Sequence, residues 1–362
     1  MNFLLLDGVK GVMSYVLYIF IALLILLVMI TVHEFGHYIV GKIFKFKINE
    51  FSIGFGPAIY KRQKKDGEIF AIRLIPLGGY CAFAGEETDA VSDGDFNSKK
   101  PWQRILVLIA GATMNFLTAI VFAAMFIGIY GAPTYKVMSY QPEGGELMQL
   151  SAPFEEEDVL VSIDGRNIYL LTDVMAAIDD KNAGDTVEVV VMRDGQKKAL
   201  TVSLNDDKIE SIESTKQTLR KLGVPAMQGV TVRFGFFESV GRTFEYTFKL
   251  GGTIFTVLGQ LLTGKLGLTA MGGTVTTITT TAQGVQTYGL SYLLQITALI
   301  GVNLAVFNLL PIPALDGSKV IFTAIEWVRG KPVNRKIEAI IHTVGFILLI
   351  GFAILVDLQH CF

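Results

Sequence analysis

Hydrophobic and polar positions along this chain sort into long, unbroken apolar runs separated by stretches of a different pattern. The first run begins near Tyr15 and reaches Val40, and a helix of that length crosses a hydrocarbon core of about 30 Å. Similar runs cover Ile105 to Tyr130, Leu290 to about Leu310, and Ala339 to Val356, so the pattern predicts four membrane-spanning helices. Between the first two runs it changes to strand-like alternation, in Glu50–Phe55 and Glu68–Leu74. The basic turn Lys61–Gly67 joins these as a hairpin, with Pro76-Leu77-Gly78-Gly79-Tyr80 following. From about Tyr135 to Asn205 the composition is that of a small soluble α/β domain. Its parts are a strand at Asp158–Gly165, a short helix at Thr172–Asp180 with Thr172 as N-cap, and a hairpin from Thr186 to Leu204 turning at Asp194-Gly195.

The later segments are less regular. Asp206 to about Leu222 is polar and helix-prone. Phe236–Leu262 is apolar and aromatic, interrupted by Gly251-Gly252, and is expected to lie on the membrane or dip into it. Gly272-Gly273 and the threonine-rich run to Thr281 read as irregular backbone, which is tolerable at membrane depth only when shielded by protein. The third span breaks at Pro311-Ile312-Pro313-Ala314-Leu315-Asp316-Gly317, with a helix continuing from Lys319 to Val328. The expected segments are 1–41 (first span), 42–101 (hairpin), 102–131 (second span) and 135–205 (α/β domain). They continue with 206–289 (linker and membrane-associated helix), 290–328 (third span and following helix) and 338–357 (fourth span).

Composition supports a polytopic membrane protein: 51% of the 362 residues are hydrophobic and mean hydropathy is +0.49. A net charge of −2 gives no basis for nucleic-acid binding. Two cysteines, Cys81 and Cys361, are too few for a disulfide framework and lack metal-site spacing. The first apolar run has no small-residue cleavage site after it and reads as a retained span. Basic residues crowd the segment after the first span (Lys42, Lys45, Lys47, Lys61, Arg62, Lys64, Lys65) and the loop before the last (Arg329, Lys331, Arg335, Lys336). The positive-inside rule puts both in the cytoplasm, leaving both termini and the α/β domain outside.

The first span carries the candidate chemistry. His33-Glu34-Phe35-Gly36-His37 reads H-E-x-x-H. Positions four apart share a helix face, so two imidazoles can meet one metal ion while Glu34 reaches a metal-bound water as general base. Ionisable side chains at membrane depth are costly and are usually retained for function. A catalytic zinc takes three protein ligands and keeps one position open. The extended metzincin pattern is absent, because Val40 stands where its glycine should be. His360 lies on the outer side, away from the motif. His342 stays open by position, and Asp316, after a proline-broken helix at comparable depth, is the stronger candidate. An N-cap role for Asp316 at a helix beginning at Gly317 is compatible with that. Asn115, inside the second span, reads first as an interhelical hydrogen-bonding residue. The hairpin is either a solvated ribbon or a strand edge able to hold an extended substrate by β-addition.

His33–His37, together with Asn303-Leu304-Ala305-Val306-Phe307-Asn308-Leu309-Leu310-Pro311-Ile312-Pro313-Ala314-Leu315-Asp316-Gly317, resembles the paired signatures of the site-2 proteases, intramembrane zinc metalloproteases of regulated proteolysis. The order of parts is similar to the bacterial branch that includes the regulator-of-sigma-factor protease, with one PDZ domain between the second and third spans. The resemblance implies a polytopic α-helical membrane protein with a membrane-associated β-hairpin and an inserted extracytoplasmic PDZ-like α/β domain. It implies a multi-pass protein of the bacterial cell membrane, active site toward the cytoplasm. By position it makes His33, His37 and Asp316 ligands of Zn2+, Glu34 the general base, and Asn308 a contact for substrate or the developing oxyanion. Gly78, Gly79, Tyr80, Asn303, Pro311 and Pro313 become substrate-binding. The implied partners are the lipid bilayer, an upstream site-1 protease and single-span substrates such as anti-sigma factors or signal-peptide remnants. The chain departs from the family pattern at Ser318-Lys319 (usually a further Gly), Ala112 (usually Pro), Thr274 (usually Pro) and Glu155–Asp158, where the PDZ pattern has Gly-Asp. Two other readings compete: a non-catalytic membrane receptor or scaffold with a retained metal site, and a peripheral metalloprotease acting on soluble substrates. An intact Glu34 and the intact second signature speak against them.

Overall fold

The computed structural model describes residues 2–86, 92–205, 219–264, 267 and 272–359. The chain divides into two compact units, one running to Ala123 and resuming at Thr247, the other covering Ala124–Tyr246. Among the described residues, four helices are long and apolar enough to cross a membrane: Tyr15–Ile43, Pro101–Tyr130, Leu290–Leu309 and Arg335–Gln359. All four expected spans are therefore present as helices. We call the full helices α1 (Asn2–Ile43) and α2 (Pro101–Tyr130).

In the first unit, β1 (Ile48–Gln63) and β2 (Ile69–Phe83) form a curled sheet. Both strands are longer than the sequence suggests. β1 continues through Lys61–Gln63, and β2 runs on through Pro76–Tyr80, which the sequence reading placed after the strand. Register irregularities around Phe55–Ala58 let the sheet bend at this proline. Ser52 pairs with both Ala71 and Tyr80, so the start of β1 lies between the two halves of β2. Glu68, 2% exposed as a side chain, ties the sheet to the end of α1 through Lys42 and is also paired with Lys64 of the hairpin turn. Burial pushes its carboxyl up, but hydrogen bonds from those two lysines win and hold it below its ordinary value.

The remaining helices of this unit are α4 (Phe236–Leu262, which starts in the second unit), α5 (Thr274–Tyr288), α6 (Leu290–Leu309), α7 (Asp316–Arg329) and α8 (Arg335–Gln359). Two expectations are corrected here. The helix Phe236–Leu262 passes through Gly251-Gly252 without a break, and it is not one of the four candidate spans. The threonine-rich stretch is helical rather than irregular. Thr277 and Thr279 donate to the carbonyls of Gly273 and Val275 (2.8 and 2.9 Å), and the Asp357 carboxylate accepts the Val275 N–H at 3.1 Å. The hydroxyls are thus satisfied within the helix, and the Asp357 carboxylate supplies the cap that the segment itself lacks.

Three close packings hold the helices of this unit together. At Gly36 an added Cβ would lie 2.4 Å from the Ala110 carbonyl oxygen, so α1 and α2 approach backbone to backbone. Ile25 and Met29 of α1 pack with Ile300 of α6. Arg104 of α2, 1% exposed, donates to Glu326 of α7 at 2.7 Å, and Arg335 donates to the same carboxylate at 3.0 Å. Removing one partner of such a pair strands a buried charge. Glu326→Gln is accordingly expected to cost on the order of 3 kcal/mol, read as a lower thermal unfolding temperature in detergent. Unchanged unfolding would mean that the pair does not anchor α7.

The second unit is a sheet of order β7-β6-β4-β3-β8, with β5 paired to β4. Its strands are β3 (Ala132–Met138), β4 (Val159–Ile163), β5 (Arg166–Asn167), β6 (Thr186–Arg193), β7 (Gln196–Ser203) and β8 (Ala226–Val232). The helix α3 (Leu171–Ile178) packs with the sheet over a core of Val137, Leu160, Ile163, Ile168, Val174, Val187, Val189 and Val191. The expected end at Asn205 is too early, since β8 completes the sheet against β3. The expected Thr172 cap is also corrected: α3 already includes Thr172, and the Asp173 carboxylate accepts the Leu170 N–H at 3.0 Å. Of the polar segment 206–222, residues 206–218 lie outside the described residues, as do His360 and Cys361.

Candidate metal centre

His33 and His37 fall one helical turn apart on the buried face of α1, each 7% exposed. The Pro311–Leu315 turn ends α6 and starts α7, with Leu315 as N-cap and Asp316 as the first helical residue. Asp316 is therefore not the cap considered from sequence, and its carboxylate is free to face α1. Its Oδ2 lies 3.0 Å from His33 Nε2 and 3.2 Å from His37 Nε2, and the two Nε2 atoms are 3.1 Å apart. Donor atoms about 2.0–2.1 Å from a tetrahedral zinc stand roughly 3.3 Å from one another, so the triangle has the right size. Asp316 Oδ2 is buried and has no hydrogen bond of acceptable geometry to either ring. Three potential ligand atoms this close together, one of them a buried carboxylate oxygen with no hydrogen-bond partner, suit a shared cation. Among the described residues this is the one cluster of three or more His, Cys, Asp or Glu that can hold a metal.

α2 forms the back wall. His37 Nδ1–H donates to the Val107 carbonyl at 2.8 Å, which fixes that ring's tautomer and leaves Nε2 a lone pair. One turn on, a Cβ at Gly111 would sit 2.5 Å from His37 Nε2 and 2.7 Å from His33 Cε1, so only glycine lets α2 come this close. One turn further, the Asn115 amide lies 3.4 Å from His33 Nδ1. Sequence reasoning gave Asn115 an interhelical role first and missed Val107 and Gly111. The available signal was their i, i+4, i+8 spacing on one face of a span.

Glu34 points to the other side, toward β2. A Cβ at Gly79 would lie 3.6 Å from Glu34 Cγ, so the β2 backbone passes directly beside this side chain. The outer edge of β2 thus runs past Glu34. Tyr80 is turned away from it, its hydroxyl donating to Glu50 at 2.9 Å. Gly78, at φ 147°, packs where a side chain would strike Phe55. Asn303 and Asn308 are half-buried on α6, and neither side chain hydrogen-bonds to another described residue. Pro311 is exposed and Pro313 is half-buried. His342, left open as a ligand by the sequence, is not in the cluster. Its Nδ1 accepts the N–H of Ala314 at 3.0 Å, a residue held at φ 78° in the turn before Asp316.

Two buried histidines and a partly buried aspartate that could hold one metal ion, on or beside helices long and apolar enough to cross a membrane and with a glutamate next to them, are the donor set of a metallohydrolase. The comparisons agree. The model of peptidase family M50 matches residues 21–352. A Clostridium perfringens protein provisionally named a zinc metalloprotease is 32% identical over 349 residues, covering 95% of this chain and 98% of its own length. A Fusobacterium nucleatum protein of the same provisional description is 30% identical over 346 residues (94% and 97%). The regulator of sigma-W protease RasP of Bacillus subtilis is 28% identical over 419 residues (91% and 95%). The chain belongs to peptidase family M50, the site-2 proteases, and is a zinc metalloprotease of the membrane.

Proposed function

We propose that this protein hydrolyses peptide bonds within the transmembrane segments of single-span membrane proteins, with His33, His37 and Asp316 holding the zinc. The observation that carries the reading is the 3.0–3.2 Å convergence of those three side chains on helices of membrane-spanning character. Bound zinc supplies positive charge that acidifies the attacking water and polarises the scissile carbonyl. Glu34 takes the water's proton and passes it to the leaving amine. Asn308, nearby in sequence on α6, is assigned to the substrate carbonyl. A transmembrane helix hides its carbonyls in its own hydrogen bonds, so the substrate must open into an extended strand. The edge of β2 at Gly79–Cys81, beside Glu34, suits such a strand by β-addition, with Gly78, Tyr80, Asn303, Pro311 and Pro313 lining its path. The name of the Bacillus relative as a regulator of sigma-W supports anti-sigma factors as one substrate class; signal-peptide remnants share the same single-span form.

The positive charges put the hairpin and the metal site on the cytoplasmic side of a bacterial cell membrane and the Ala124–Tyr246 unit outside. We read that unit as a PDZ-like domain that filters substrates by size, admitting those already trimmed by an upstream protease. Because β8 closes its sheet, the filter is removed by deleting residues 132–232 rather than 135–205. Co-expressed with a tagged single-span substrate, the deleted protein is expected to cut the trimmed form at near-native rate. It should also cut a form that retains a bulky outer domain. Loss of cleavage of the trimmed form in a stably folded deletion would make the domain a recruiter of substrate and end the filter reading.

A further inference from the structure

We propose that Asn115 is a positioning residue for the zinc site: its side-chain amide oxygen fixes His33 as the Nδ1–H tautomer and so turns the Nε2 lone pair toward Asp316. This rests on the reading of His33 as a zinc ligand. Asn115 is fully buried in α2, on the same stripe as Val107 and Gly111, and its side chain meets His33 Nδ1 at 3.4 Å. Its Oδ1 is buried with no hydrogen-bond partner, an uncommon cost for a native side chain.

The two ends of an amide differ only in which atom is oxygen, and the hydrogen-bond network decides between them. With the amide nitrogen turned to His33, Nδ1 must be the acceptor. The ring proton then sits on Nε2, the atom 3.0 Å from Asp316, and no lone pair remains there for a metal. With the amide turned over, Oδ1 gains the Nδ1–H bond that it lacks and Nε2 is freed. The ring stays neutral in both arrangements, since one proton moves between its two nitrogens. His37 already has the second arrangement, because a backbone carbonyl such as Val107 O can only accept. Among the described residues no backbone carbonyl hydrogen-bonds to the His33 ring, and Asn115 supplies the equivalent acceptor from a side chain. α2 thereby sets both tautomers from positions two turns apart, across a contact that Gly111 keeps close.

The test uses the full-length protein in detergent, with Asn115→Leu and Asn115→Asp. Leucine fills a similar volume without an acceptor; aspartate keeps the acceptor and lacks the donor. Zinc affinity is measured by competition with a chelating indicator, and thermal unfolding is followed on zinc-stripped samples. Asn115→Leu is expected to bind zinc about 10- to 100-fold more weakly, the usual cost of losing an outer-shell partner, while unfolding like the native zinc-free protein. Asn115→Asp should bind zinc at least as tightly as the native chain. Native zinc affinity in Asn115→Leu overturns the proposal, and so does equal weakening in both variants, which would point to packing alone. Should the leucine variant fail to fold, weak zinc binding by a folded aspartate variant is sufficient to overturn it. Failure of the underlying reading is separable, because it would appear as unchanged zinc affinity in His33→Ala.

Discussion

Glu34→Gln is expected to retain about one zinc per chain and to lose at least about a hundred-fold in cleavage rate, the contribution typical of a positioned general base. Glutamine has nearly the same shape, so the packing against β2 at Gly79 survives. Its neutral amide cannot take the proton of the attacking water. The variant therefore separates binding from chemistry: a single-span substrate should be held and not cut, and should co-purify. Metal content and substrate capture are measured on the same preparation as cleavage. A variant that has lost its zinc would mean that Glu34 shapes the metal site, and the assignment of a purely proton-moving role would be wrong.

The second large effect is on the metal itself. Asp316→Ala removes the donor atom that stands 3.0 and 3.2 Å from the two imidazoles, and two histidines on one helix turn are a weak site alone. Zinc affinity is expected to fall by more than the roughly 10- to 100-fold that an outer-shell substitution costs, leaving the purified protein largely metal-free. His33→Ala and His37→Ala should match it. His342→Ala is the contrast. It leaves the N–H of Ala314 without its acceptor, which should cost about 1 kcal/mol of stability while zinc is kept. Full zinc retention in Asp316→Ala, or loss of zinc in His342→Ala, would reassign the third ligand.

The parts of this site that were legible in the sequence are those written locally. His33 and His37 share one helix turn, and Asp316 stands at the proline break that ends a span, where a buried carboxylate needs a cation. The α2 wall was not legible in the same way. Val107 acts through its backbone carbonyl and Gly111 through the side chain it lacks, so neither residue type announces a role. Asn115 meets His33 across 82 positions of sequence, and only the packing of two helices reveals that distance. The four spans followed from unbroken apolar runs, because length alone decides them. The misreadings came where tertiary contacts override local preference. Thr274–Tyr288 is helical, its start capped by the Asp357 carboxylate from the far end of the chain. β2 passes through Pro76 at an irregular register, and β8 joins its sheet from far along the chain.

The most direct measurement is the position of the cut. Purified native protein and Glu34→Gln are each incubated in detergent or nanodiscs with a tagged single-span substrate, and the fragments are weighed by mass spectrometry. An intramembrane zinc protease should yield termini inside the apolar segment of the substrate. They should be absent with Glu34→Gln, lost when zinc is stripped and regained when it is restored. Cleavage confined to the soluble flanks, or termini within the segment that persist at the native rate in Glu34→Gln, would contradict the account.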